Sequence, residues 1–265
     1  MQKLIIGILI STCILTMLSC NKDEAYDIYA VPLYVPILES MNMPRPEGSY
    51  NYPVIPNTKE WIKLNDREQK VDVCQINKSV VKAMSTQAVI QALWEYPLYA
   101  DFFAWENTQK GYEFVYEELN VFQELKKRSD AASCLLYRYQ RVVEKHKKHA
   151  FAHYLLEMHL AQNYFISQLN TDEKKAVVKR ALEIYTIRQQ DPEFTDTFMA
   201  IDITFYLVGR IMIHDQYKPF VDKLSIKPGW EKLFTEHAYN LYRSPDEANE
   251  FLETIISMAN DYIEK

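Results

Sequence analysis

The stretch Ser244-Pro245-Asp246-Glu247-Ala248-Asn249-Glu250-Phe251-Leu252-Glu253-Thr254-Ile255-Ile256-Ser257-Met258-Ala259-Asn260-Asp261-Tyr262-Ile263 decides the fold class. It opens with a serine suited to an N-cap. Proline follows at the first helical position, where its missing N–H is no loss, and glutamate stands at the third. These signals predict a helix running to near Ile263. Start and stop signals of the same kind recur backwards along the chain. A helix is expected over about residues 230–242, after Pro228-Gly229, and a nearly all-apolar one over about 194–217, which marks it as central. Thr171 is read as the cap of a helix over 172–190, which Asp191-Pro192 stops. Further helices are expected over about 149–168, from the Asp130 cap to about 145, and from Thr108 through Lys127. In the last of these Phe114, Val115, Leu119, Phe122 and Leu125 fall near the 3.6-residue period. Ser85 or Thr86 caps a helix over 87–95, Pro97 begins a new turn, residues 76–84 form a short helix, and Trp61-Ile62-Lys63-Leu64 leads into a weak turn. No strand pair is apparent. The expected fold is all-α, an irregular multi-helix bundle or a short helical solenoid of about eight or nine helices, with no repeat of fixed period.

Upstream of this helical domain, expected over residues 60–265, lies an extended segment rich in Pro and Tyr. Six of the eleven prolines fall in residues 21–59: Pro32, Pro36, Pro44, Pro46, Pro53 and Pro56. They bar a long helix and favour an extended, polyproline-like chain. The segment also carries Tyr26, Tyr29, Leu33, Tyr34, Tyr50, Tyr52 and Ile55, residues in which disordered linkers are poor. The first part is expected to act as a tether and residues 50–61 to lie against the domain.

The N-terminus has the layout of an export signal. Lys3 precedes an apolar run of about 15 residues, shorter than the about 20 needed to span a bilayer. The run ends Met17-Leu18-Ser19-Cys20, which resembles a bacterial lipobox with Met17 where Leu is usual. The resemblance implies cleavage after residue 19 and lipidation of Cys20, so that residues 20–59 form a lipidated tether and extended segment. Acyl chains on Cys20 would hold the domain at a membrane without a spanning helix. The residues Lys22, Asp23 and Glu24 just after the cysteine resemble the surface-export signal of Bacteroidota lipoproteins. They imply an outer-membrane protein facing the cell exterior; the alternative is an anchor facing the periplasm.

Composition narrows the chemistry. Removing Lys3 with the leader leaves 29 basic against 36 acidic side chains, a net charge of −7 over 246 residues. An acidic chain without a dense basic block does not neutralise phosphates, so nucleic acid is not an expected partner. Only Gly48, Gly111, Gly209 and Gly229 lie in the mature chain. No glycine-rich phosphate loop, dinucleotide fingerprint or nucleophile elbow can be written from them, and HExxH is absent. Cys74 and Cys134 are too few for a disulfide framework and are read as thiols. No cofactor is expected.

Within this frame a family resemblance emerges. Tyr52-Pro53-Val54-Ile55-Pro56-Asn57-Thr58-Lys59-Glu60-Trp61, then Cys74-Gln75-Ile76, Met84-Ser85-Thr86 and Tyr96-Pro97-Leu98 with Asp101, resemble an uncharacterised family of Bacteroidota lipoproteins. The resemblance covers residues 52–128. Proline is usual soon after the Cys-Gln-Ile triplet in that family, and Asn77 stands there instead. It implies no activity and carries no functional residues.

Three constellations are weighed as sites. His149, His153 and Glu157 share a helical face and offer imidazole and carboxylate ligands for a divalent metal. The opposing reading is a helix whose polar groups sit within an apolar core. Asp202, Tyr206 and Arg210 fall four apart on the central helix, where a buried carboxylate and an arginine could orient a substrate or serve acid/base chemistry. A structural polar network is the blander reading. Glu95 and Asp101 flank Pro97 as a carboxylate pair of the kind glycoside hydrolysis requires, or as a cap and a surface charge. The frequent tyrosines and tryptophans could stack sugars at a rim, although helical spacing assigns most of them to the core. The resulting expectation is a membrane-anchored lipoprotein that binds a protein or glycan partner or serves an envelope assembly. The alternatives are a metal- or carboxylate-based hydrolase of envelope or glycan material, and a purely structural lipoprotein.

Overall fold

The computed structural model describes residues 43–105, 107–142, 150–190, 198–236 and 245–265. The described chain is all-helical, without a strand. Its helices are α1 Lys59–Ile62, α2 Arg67–Val73, α3 Lys78–Ala83, α4 Thr86–Trp94, α5 Thr108–Glu117, α6 Asn120–Leu125, α7 Ala131–Arg141, α8 Ala150–Leu160, α9 Asn163–Ile166, α10 Thr171–Gln190, α11 Phe198–His214, α12 Lys218–Ile226, α13 Pro228–Glu236 and α14 Pro245–Glu264. A 3₁₀ turn at Tyr99–Ala104 follows Pro97.

Fourteen helices replace the eight or nine expected from periodicity, and side chains account for the difference. The single helix expected from Thr108 through Lys127 breaks at Leu119, whose backbone is extended. There Asn120 and the Gln75-Ile76 pair exchange bonds. Asn120 N donates to Gln75 Oε1 (3.0 Å), Ile76 N donates to Asn120 Oδ1 (3.2 Å), and Asn120 Nδ2 donates to Ile76 O. These bonds satisfy backbone groups that a continuous helix would otherwise have paired internally. The helix expected over 149–168 breaks in the same way at Gln162, which is extended and turns its amide inward. Two short helices, α2 and α12, had no periodic signal; Asp66 caps the first and Pro219 stands in the first turn of the second. The cap of α10 also shifts by one residue. Asn170 Oδ1 accepts from Glu173 N (2.9 Å) while Glu173 Oε2 accepts from Asn170 N (3.0 Å), a capping box in which Thr171 takes no part. Asn77, where proline was expected, caps α3 by accepting from Ser79 N at 2.9 Å.

The longer helices form two rows. α4, α7, α10 and α14 lie side by side, each packed on the next; α8 and α11 form a second row, α8 against α7 and α11 against α10 and α14. One contiguous set of buried side chains runs through both rows, from Tyr52 and Trp61 to Ala259 and Tyr262. The incoming chain joins it: Tyr52 Oη donates to Ala92 O (3.0 Å), and Tyr50, Val54 and Ile55 pack against the core. Arg45 clamps the same region, donating twice to Glu95 (2.8 Å each) and once to Tyr50 O (2.7 Å).

Gly209 sits in the middle of α11, where glycine is about 1 kcal/mol worse than alanine for helix formation. A Cβ there would meet ring atoms of Phe234 at 2.0, 2.5 and 2.7 Å. That ring is fully buried and wedged between Phe220 and Phe251, so it cannot swing away. Gly209→Ala is therefore expected to lower stability, by up to about 2 kcal/mol after the propensity gain is subtracted from an overpacking cost of about 1–3 kcal/mol. Urea unfolding monitored by circular dichroism reads the sign; an increase in stability would show that α13 packs less closely on α11.

Candidate functional site

The polar residues singled out from the sequence meet where α8 faces α11, but they divide into two separate networks. In the first, Glu157 of α8 is fully buried. Its Oε1 accepts from Tyr139 Oη (2.7 Å) and Thr204 Oγ1 (2.9 Å), and Thr204 Oγ1 in turn accepts from Arg188 Nη1 (2.8 Å). The Arg188 guanidinium, also fully buried, stands 3.6 Å from Glu157 Oε2. Burial and the adjacent Glu157 carboxylate hold the Tyr139 hydroxyl far above its ordinary pKa, so it stays a donor. His153 is buried one turn away with its ring 6.3 Å from that of Tyr139. A carboxylate facing a guanidinium is already charge-compensated, which disfavours a divalent cation at the same oxygens. Among the described residues no three metal-ligating side chains converge; His149 lies outside them.

The second network contains Tyr206. Its hydroxyl donates to Gln109 Oε1 (2.7 Å), and Gln109 and Gln162 exchange amide bonds at 2.9 and 3.1 Å. Beside them Tyr112 Oη lies 2.6 Å from His159 Nδ1. Complete burial pushes the His159 pKa down to about 3, so the ring is neutral. The rings of Tyr116 and Phe122 enclose the imidazole. Arg210 leaves this group. Its guanidinium donates to Ala161 O (3.1 Å), Phe234 O (3.0 Å) and Asn163 Oδ1 (2.9 Å), and so joins α8, α9 and α13. The Asp202 side chain lies outside the described residues. Tyr206 and Arg210 remain neighbours, the guanidinium 5.7 Å from the ring centre, while their hydrogen bonds go to different partners.

Glu95 and Asp101 are each held by a different arginine. Glu95 takes Arg45 and the Gln91 amide (2.9 Å). Asp101 takes Arg67 Nε (2.9 Å), whose other nitrogens reach Glu118. Burial raises the Asp101 pKa against the pull of Arg67. Behind Glu95, Gln91 also receives Arg138 (2.8 Å), a buried guanidinium 4.4 Å above the Trp94 ring. Burial without a carboxylate in direct contact lowers the Arg138 pKa to about 10, so it remains charged at neutral pH. A further cluster had no signal in the sequence. Asp215 accepts from Lys174 (2.5 Å) and Tyr262 (2.7 Å) and lies 3.2 Å from His214, which pins the ends of α10, α11 and α14 together.

The open surface is different in kind. A depression of about 400 Å³ lies between α7 and the start of α10, lined by Leu136, Tyr137 and Gln140 on one side and by Asn170, Asp172 and Glu173 on the other. Tyr137 is 47% exposed, and the Arg141 guanidinium sits 3.6 Å from its ring centre. The pair is spaced i, i+4, the one feature of this site that was legible in the sequence. Elsewhere Trp105 and Phe114, both exposed, pack at 4.8 Å, with Arg67 4.6 Å from the Phe114 ring. Comparison with protein-family profiles, with characterised proteins and with solved structures returns no match.

Proposed function

We propose that this chain is an outer-membrane lipoprotein, lipidated at Cys20 and facing the cell exterior, whose helical domain acts by binding rather than by catalysis. The observation that carries the reading is the run Leu18-Ser19-Cys20 at the end of a short apolar segment, followed at once by Lys22, Asp23 and Glu24. No described helix is long and apolar enough to cross a membrane, which is compatible with attachment through lipid alone. The binding role is supported by where the polar groups lie. Glu157, Arg188, Tyr206 and His159 are sealed between helices, hydrogen-bonded to buried neighbours such as Tyr139, Thr204, Gln109 and Tyr112. Exposed side chains such as Tyr137 and Asp172 lie instead on α7 and α10, whereas α4 is buried along its length. We read the fold as a short irregular helical solenoid, an architecture that presents extended binding surfaces. We also place the chain with the uncharacterised Bacteroidota lipoproteins that residues 52–128 resemble.

Protease treatment of intact cells tests the placement. The wild-type protein should be digested, and a variant carrying Lys22→Ala, Asp23→Ala and Glu24→Ala should be protected until the outer membrane is opened. Protection of the wild type would overturn the outward-facing assignment.

A further inference from the structure

We infer that the groove between α7 and α10 is a binding site for a neutral oligosaccharide. This deepens the binding reading above, on which it rests for its biological setting though not for its chemistry. Four observations carry it. First, a shallow, open depression of about 400 Å³ lies between the two helices. Second, it offers an aromatic platform. Tyr137 is 47% exposed on a helix whose other tyrosine, Tyr139, is buried. Arg141 covers one face of the Tyr137 ring, which holds it in place, and among the described residues no other ring packs on it. A pyranose has a flat C–H face that buries well against such a ring.

Third, the polar lining matches hydroxyl groups. Asp172 and the Gln140 amide are exposed, and among the described residues neither has a side-chain hydrogen-bond partner. Glu173 is fixed by Ser133 Oγ (2.7 Å) and Asn170 N (3.0 Å). A sugar hydroxyl both donates and accepts, so it pairs with carboxylate and amide groups alike. Fourth, the depression carries two carboxylates against one neighbouring cation, Arg141, which is engaged on the Tyr137 ring. That disfavours phosphorylated, sulfated or uronic-acid ligands by like-charge repulsion. An extended peptide is the competing occupant. It usually needs a desolvated apolar pocket for an anchor residue, and the apolar groups here, Leu136 and Ala176, form a shallow floor.

The test is native affinity electrophoresis of the detergent-solubilised full-length protein. Gels contain β-mannan, xylan or a branched α-glucan as neutral polymers, or polygalacturonate as an anionic one. At least one neutral polymer should retard the wild type while polygalacturonate does not. Tyr137→Ala should weaken binding to that polymer about tenfold or more, and Asp172→Ala should weaken it too. Both positions are exposed, so unchanged circular dichroism is expected of each variant. Three results would each overturn the assignment: no retardation by any neutral polymer, retardation that persists in Tyr137→Ala, and binding of a lysine-rich dodecapeptide, lost in Asp172→Ala, in place of any glycan. Because purified protein is used, failure here leaves the membrane placement untouched, and a wrong placement leaves this result intact.

Discussion

Glu157→Ala is expected to destabilise the protein by about 3–5 kcal/mol, the usual cost of leaving one member of a buried ion pair without its opposite charge. Glu157 and Arg188 are both 0% exposed, so neither can turn to water to recover solvation. The substitution also removes the acceptor for Tyr139 and Thr204, whose hydroxyls donate to Glu157 Oε1 at 2.7 and 2.9 Å. Glu157→Gln keeps the shape and acceptor but not the charge, so the difference between the two variants separates ionic from hydrogen-bonding contributions. Urea unfolding measures both. A loss under about 1 kcal/mol for Glu157→Ala would mean that the packing of α8 on α10 and α11 does not depend on this pair.

The second large effect is with pH. His159 is fully buried, with its pKa pushed from 6.5 down to about 3 by desolvation. Its folded pKa lies below its unfolded one, so the unfolded chain binds the proton more readily. The stability this group supports is therefore fully present above about pH 6.5 and is lost as pH falls towards 3. At pH 4.5 the loss amounts to about 3 kcal/mol, near 1.4 kcal/mol for each unit below 6.5. The depressed carboxylates, such as Asp215 and Glu117, add their own losses near and below their ordinary range, and the raised Asp101 acts in the opposite sense, so the His159 variant is what assigns the fall from 6.5 to 4.5. His159→Asn keeps a hydrogen-bonding partner for Tyr112 and should flatten that limb by most of this slope. An unchanged slope would assign the acid sensitivity to another group, His153 being the first to test.

Helix content was legible because it depends on local chemistry. Ser85, at the start of α4, accepts from Ala88 N as its position implies, and Ser244-Pro245 precedes a helix that reaches Glu264. The Asn170–Glu173 box could have been read too, since asparagine three residues before glutamate is a start signal equal to the Thr171 reading. What sequence could not show were the breaks at Leu119 and Gln162. Each is set by partners more than forty residues away, Gln75-Ile76 in one case and Gln109 in the other. A helical period continues across such points because the apolar stripe still faces the core. The same limit applies to the polar sites. Spacing placed Tyr206 and Arg210 on one face, but their partners, Gln109 and the carbonyls of Ala161 and Phe234, come from distant segments. Helical spacing likewise assigned most tyrosines to the core; Tyr137, the exposed one among the described residues, differs from Tyr139 only in which side of α7 it occupies.

The proposal that this domain hangs from a membrane by lipid rests on the first twenty-four residues, and intact-mass and peptide mass spectrometry of the detergent-extracted protein examines it most directly. The account predicts a chain that begins at Cys20 and carries the added mass of diacylglycerol on that cysteine, with no such species from Cys20→Ala. A mature chain that retains Met1, or one that begins elsewhere without lipid, would contradict it.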